Sequence, residues 1–204
     1  MPTQNDSFNP VPLRDKFPAL QLRVNGQTAV YLDGPGGTQT PQSVIDAMSG
    51  YLKGGSSNLG GLFRTSEETG KVVAAARQAM ADMLNARPEE IAFGQNMTSL
   101  TFSFSRALSR TWQPGDEIII TRLDHDANIS PWLMAAADRG VTVRWLDFNP
   151  ADCTLNLDDL ADLLNEKTRL LAITAASNAV GSITDIPRAV RMAHAVDALV
   201  YRSE

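Results

Sequence analysis

The sequence predicts an α/β fold of three layers, α/β/α, around a mostly parallel sheet. Three observations carry this. From Pro88 onward, short apolar runs alternate with helical stretches. A strand, a helix and a strand at that spacing make a βαβ unit, whose crossover sets the two strands parallel. The 204 residues, 43% hydrophobic and 20% charged, are an ordinary globular balance, enough for one good-sized core or one domain plus a small extension.

Residues 1–28, with Pro10, Pro12 and Pro18, read as an N-terminal arm, and residues 29–204 as one large domain. Ala29 to Leu32 reads as a short strand running into the turn cluster Asp33 to Gly37. Pro41 suits the first turn of a helix that places Val44, Ile45, Met48, Tyr51 and Leu52 on one face and stops at Gly54 and Gly55. SSNLGGLFRT is loop-like, and Thr65 with Glu68 three residues on forms a capping-box pattern. Val72, Val73, Ala76, Met80, Met83 and Leu84 then make a helical stripe. The strands after Pro88 are Ile91–Phe93, Ile118–Ile120, Val141–Trp145, Leu170–Thr174 and Ala198–Tyr201, with helices near 98–109, 131–139, 157–165 and 187–195. No internal repeat or low-complexity segment interrupts them.

Net charge is -5 and the Lys and Arg residues are scattered without a basic stripe, so nucleic acid is not an expected partner. No apolar run approaches the roughly 20 residues that a membrane helix needs, and the start, MPTQNDSFNP, carries no signal-peptide pattern. Cys153 is the one cysteine, so an intrachain disulfide is impossible, which suits a cytoplasmic protein. Cys153 lies in a turn before a helix with no histidine partner evident and reads as an inert thiol.

Parallel sheets bind ligands beyond the carboxyl ends of their strands. The segments to inspect are therefore Gly94 to Ser99, Asp124 to Asn128, Asp147 to Asn149 and Ala176 to Asn178. GQNMTS is a strand-to-helix turn that is either an ordinary N-cap or a phosphate site built from free helix N–H groups and hydroxyls. It is not a P-loop, since no Gly-Lys-Ser/Thr follows. GPGG at 34–37 lacks the full dinucleotide glycine spacing and reads as a tight turn. His125, alone, reads as a hydrogen-bonded structural residue, as does His194 within a helix. Asp124, His125 and Asp126 are too close together to propose a metal site, so no metal is expected.

Taken together, three segments in order resemble the class V aminotransferase family, in particular its cysteine desulfurase-like members: YLDGPGGTQTPQSVIDAM, GDEIIITRLDHDANISPW and LLAITAASNAVGSITDI. The resemblance covers roughly residues 29–201 and implies the large domain of a pyridoxal 5'-phosphate (PLP) enzyme of fold type I, acting on an amino acid. His125 matches the family's ring-stacking histidine and is the catalytic candidate. Asn178 matches the asparagine near the cofactor's phenolic oxygen. Asn96, Met97 and Thr98 fall in the phosphate-binding turn, where the family usually has Gly-Thr-Thr; Met97 keeps its N–H but loses a hydroxyl. Ser56 to Thr65 resembles a loop that contributes near the dimer interface, and a homodimer is implied for the full-length family member.

The family's chemistry also needs a Schiff-base lysine and an acidic partner for the pyridine nitrogen. The aspartate should fall near position 203, where this sequence has Ser203, and none of Lys16, Lys53, Lys71 and Lys167 follows a strand in a suitable context. The chain thus reads as an incomplete, N-terminal portion of such an enzyme, inactive alone, with Ile91–Phe93 lacking its usual neighbouring strand. Two other readings compete. One is a non-catalytic remnant that binds a phosphate ligand or a partner subunit; the other is a nucleotide-binding doubly wound domain, which lacks its glycine fingerprint.

Overall fold

The structure, a computed structural model, describes residues 9–203; the first eight residues of the expected arm and Glu204 lie outside the described residues. The chain forms two compact units that divide between Ala92 and Phe93.

The first unit departs from the expected arm and strand. After short 3-10 helices at Val11–Lys16 and Pro18–Gln21 comes a hairpin of β1 (Arg23–Val24) and β2 (Gln27–Thr28), paired antiparallel. Its turn is Asn25-Gly26, with φ of 51° and 79°. Asn-Gly accepts positive φ at both positions and is the strongest short hairpin signal a sequence carries; the reading of 1–28 as irregular passed over it. Ala29 to Leu32 is not a strand. Ala29 N–H reaches Leu22 O at 2.8 Å, but no described strand pairs with the residues after it, and Leu32 is 92% exposed.

Helix α1 (Gln42–Gly54) starts after Pro41 and ends at Gly55, whose φ of 89° suits only glycine readily. Helix α2 (Arg64–Leu84) closes on Asn85 in the left-handed conformation. The expected capping box does not form. The helix begins at Arg64, so Thr65 already sits in its first turn, and Phe63 at the N-cap supplies no side-chain bond. Ser66 instead ties down the preceding loop, its Oγ accepting Gly61 N–H at 2.8 Å and donating to the Asn58 carbonyl. Tyr51 and Thr69 join α1 to α2 through their hydroxyls at 2.9 Å. Lys71 bonds Glu68 at 2.8 Å, which holds the Glu68 carboxyl below and the Lys71 ammonium above its ordinary range.

The second unit holds the sheet. Ile91 to Phe93, expected as its first strand, is no strand, because no described strand lies beside it to supply hydrogen bonds. Helix α3 (Met97–Leu108) leads to β3 (Glu117–Thr121), α4 (Ser130–Arg139) and β4 (Thr142–Leu146). A small hairpin, β5 (Phe148–Asn149) with β6 (Thr154–Leu155), precedes α5 (Leu157–Leu163). Then come β7 (Thr168–Thr174), α6 (Ile186–His194) and β8 (Leu199–Ser203), which runs two residues further than expected. The strand order is β4-β3-β7-β8, all parallel.

The side-chain period of two divides the core between the two faces. Ile118 and Ile120 of β3, with Leu170 and Ala172 of β7, pack with Trp132, Ala135 and Ala136 of α4. The alternate residues Ile119, Leu171 and Ile173 pack on the other face with Leu157 and Leu160 of α5 and Ala189 and Ala193 of α6. Strands buried on both faces read as continuous apolar runs, which is why Ile118-Ile119-Ile120 and Leu170-Leu171 were legible.

After β3 the chain moves outward to β4; after β7 it moves the opposite way, to β8. The β3–β7 boundary is therefore the topological switch point, where the loops at the carboxyl ends part and leave a crevice.

Candidate functional site

The loop after β3 carries His125, and the loop after β7 carries Asn178, so the two border the switch point from either side. Asp124 fixes the first loop. Its Oδ2 accepts the Thr121 hydroxyl at 2.6 Å, and its Oδ1 accepts Asn128 Nδ2 and Ser203 Oγ, each at 2.8 Å. Asn128 is fully buried and in turn accepts Trp132 Nε1–H at 2.9 Å. A buried amide and indole satisfied in this way hold a single arrangement, since breaking either bond would strand a polar group without water.

On this footing His125 stands exposed. Its Nδ1 accepts the Ala127 N–H at 3.1 Å. In the neutral ring the proton therefore sits on Nε2. The ring is thus oriented by its own loop with its second nitrogen left as a donor.

Asn178 lies in a tight excursion between β7 and α6. Thr184 N–H returns to Ala175 O, Ser177 N–H bonds Ser182 O and Gly181 N–H bonds Ser177 O, all at 2.9 Å. Asn178 is exposed at the turn of this excursion, where Gly181 takes φ 75°.

Asn96 is the N-cap of α3, its Oδ1 accepting Ser99 N–H at 2.8 Å. Its carbonyl takes Leu100 N–H at 3.1 Å. The amides of Met97 and Thr98 find no partner among the described residues, and Thr98 is exposed. Two free N–H groups at the positive end of a helix of 12 residues suit an anion. Gly94 lies just before this turn, where a Cβ would come within 2.6 Å of Leu100 side-chain atoms and push that side chain aside.

Four contacts tie α3 and the loops after β3 and β7 to β8 and to one another. One turn into α3, Thr101 Oγ1 meets Tyr201 OH of β8 at 2.9 Å, and α3 packs on the turn Asp126–Asn128. Ser203, the last described residue of β8, bonds Asp124 at 2.8 Å, and its carbonyl takes Ala175 N–H at 2.9 Å. Sequence reasoning placed Asp124 and Asn128 in a segment to inspect and noted Ser203 only as a departure from the family, and assigned none of the three a role in holding the loop. The spacing of four from Asp124 to Asn128 to Trp132 was the available signal for the first two.

The opposite, amino edge of the sheet is held by structural ion pairs: Arg169 with Asp116 at 2.8 Å and Arg144 with Glu117 at 3.2 Å. Lys167, the one lysine of this unit, belongs to that edge, where its carbonyl accepts Glu117 N–H at 2.9 Å. It is a full strand length away from the His125 loop. Among the described residues no helix is long and apolar enough to cross a membrane.

A model of the aminotransferase class-V family matches residues 30–201. A cysteine desulfurase from Pectobacterium carotovorum subsp. carotovorum is 37% identical over 190 residues, 92% of this chain and 46% of the relative. The crystal structure of the cysteine desulfurase CsdA from Escherichia coli superposes with a TM-score of 0.81 at 31% identity, covering 97% of this chain and 49% of that one. A lysine variant of C-DES with glycine covalently linked to its PLP cofactor gives 0.73 at 24% identity over 94% of this chain and 49% of that one, a likeness that carries the fold alone. The chain spans about half the length of the curated relatives it matches.

Proposed function

Since this chain belongs to the aminotransferase class-V family, which is PLP-dependent, we propose that residues 93–203 are the cofactor-docking platform of a cysteine desulfurase-like enzyme acting on an amino acid. The observation that supports this best is an exposed histidine, oriented by its own loop after a parallel strand, with α3, whose first amides are free, packed on the turn that follows it. His125 would hold the cofactor ring, and its Nε2–H, left free by the Ala127 bond, could exchange a proton with substrate. The Met97 and Thr98 amides and the Thr98 hydroxyl would hold the phosphate, with the Asn96 cap keeping the helix end in shape. Asn178 would offer its amide to the phenolic oxygen. When bound, PLP supplies an electron sink for chemistry at the amino acid's α-carbon.

These residues fit the ring and the phosphate; they do not fit covalent attachment. Lys167 belongs to the wrong edge, and Ser203 stands where the resemblance implies the pyridine's acidic partner. The chain alone is therefore a non-covalent binder without turnover, and the complete enzyme is a cytoplasmic homodimer. The position of Lys167 also favours a second reading, a non-catalytic remnant that binds a phosphate ligand or a partner subunit.

The test is a PLP titration followed by near-ultraviolet circular dichroism, with pyridoxal and inorganic phosphate as comparators, and a sulfide assay with cysteine. PLP should bind more tightly than either comparator. His125→Ala should weaken it about two- to tenfold, the range that loss of one aromatic stacking contact gives. Sulfide should not exceed that from free PLP. An absence of induced dichroism in the unaltered chain would overturn the platform. Turnover that disappears in His125→Ala would overturn the inactivity.

A further inference from the structure

We propose that Asp124 is a positioning residue for His125, and that with Ser203 it forms a latch coupling the histidine loop to the end of β8. This deepens the proposed function and rests on it for the histidine's role, while the latch itself is readable in the protein alone.

The geometry singles out Asp124. It is half-buried and spends both oxygens on protein donors: Thr121 from the end of its own strand, Asn128 from the following turn, and Ser203 from a strand two places away. Thr121 and Ser203 are themselves buried. None of these bonds is needed to form β3 or β8: β3 pairs with β7 through Ile120 and with β4 through Thr121, and β8 pairs with β7 along its whole length. What they fix is the loop. With Asn128 held from both sides, by Asp124 and Trp132, its N–H bonds the His125 carbonyl at 2.8 Å and sets the turn. That turn delivers Ala127 N–H to His125 Nδ1. The imidazole's tautomer and direction are thus set by a carboxylate that bonds Thr121, Asn128 and Ser203 rather than the ring itself.

A carboxylate is the suitable group because every donor converges on it, and an ionised acceptor strengthens each bond. Asparagine at 124 can still accept from Asn128 and Ser203, while its amide donates to the Thr121 hydroxyl, which can serve as acceptor. The latch therefore predicts a graded series: Asp124→Asn keeps most of the geometry, Ser203→Ala loses one tie, and Asp124→Ala loses all three.

The experiment follows the 15N signals of His125 and the Trp132 Nε1–H resonance by NMR in the full 204-residue chain without ligand, then measures PLP affinity. In the unaltered chain His125 should show a single Nε2-protonated tautomer. Asp124→Ala should give mixed tautomers and a displaced Trp132 signal, Ser203→Ala a smaller change of the same kind, and Asp124→Asn near-restoration. PLP affinity should fall roughly two- to tenfold in Ser203→Ala, the range one hydrogen bond commands, and recover toward the unaltered value in Asp124→Asn. Should Asp124→Ala fail to fold, Ser203→Ala still decides. An unchanged His125 tautomer pattern in a folded Ser203→Ala or Asp124→Ala chain overturns the latch. If the graded NMR series holds and PLP does not bind even the unaltered chain, the latch stands and the platform reading fails.

Discussion

The two units of this chain are built on different terms. Among the described residues, the unit before Phe93 buries only Ser66, Thr69 and Ala81, although its helices carry apolar stripes. Val44, Met48 and Leu52 of α1 are 43%, 63% and 67% exposed. The unit after Ala92 buries Ile118, Ile119, Ile120, Leu170, Leu171 and Ile173 almost completely on two faces of one sheet. A parallel βαβ array provides its own cover, since each crossover helix lies on the strands it joins. A pair of amphipathic helices does not. Periodicity marks which face an amphipathic helix wants covered, not whether the cover is present.

The packing of the second unit depends most heavily on Trp132. This side chain is fully buried, packs edge-on to Tyr201 with centroids 5.0 Å apart, and donates to Asn128. Trp132→Ala should destabilise the second unit by about 3–5 kcal/mol, combining a large cavity with an unsatisfied buried amide. Urea unfolding followed by far-ultraviolet circular dichroism measures it. A loss under about 1 kcal/mol would mean that the second unit is no better packed than the first.

That contrast also explains what was legible. The four core strands and their helices were readable because apolar runs and turn residues recur together, and every one formed within a few residues of its expected place. Ile91 to Phe93 has the same local character, but a strand exists only through a neighbour, and neighbours are not written in a local window. Ala29 to Leu32 failed likewise, while Asn25-Gly26 carried an overlooked hairpin signal. At the candidate site the resemblance drew attention to His125, Asn178 and the turn at 96–98. The Asp124 latch stayed hidden because Ser203 is 79 residues from its partner, and a polar pair so far apart leaves no pattern.

A smaller effect is expected at the helix end in the second unit. Asn96→Ala removes the cap on Ser99 N–H and should lower stability by about 1 kcal/mol. It should also weaken phosphate binding, because the free amides of Met97 and Thr98 lose their fixed direction. Titration with inorganic phosphate, read from amide shifts of Met97 and Thr98, checks this. Equal shifts in the unaltered and altered chains would separate the cap from the anion site.

The smallest effect should come from α1. Met48→Gln changes an apolar side chain to a polar one at a position 63% exposed. Methionine and glutamine have nearly equal helix propensity, so the backbone contribution cancels and burial alone is read. If the stripe meets water, the change in stability should stay within about 0.5 kcal/mol, as for other surface substitutions. The same replacement at Ile119, which is fully buried, puts an amide into the core without a partner and should cost several times more. A loss above about 2 kcal/mol at Met48 would be the value of a covered side chain. In that case the α1 stripe is covered in solution, and the difference between the two units lies in what covers them rather than in how their sequences are patterned.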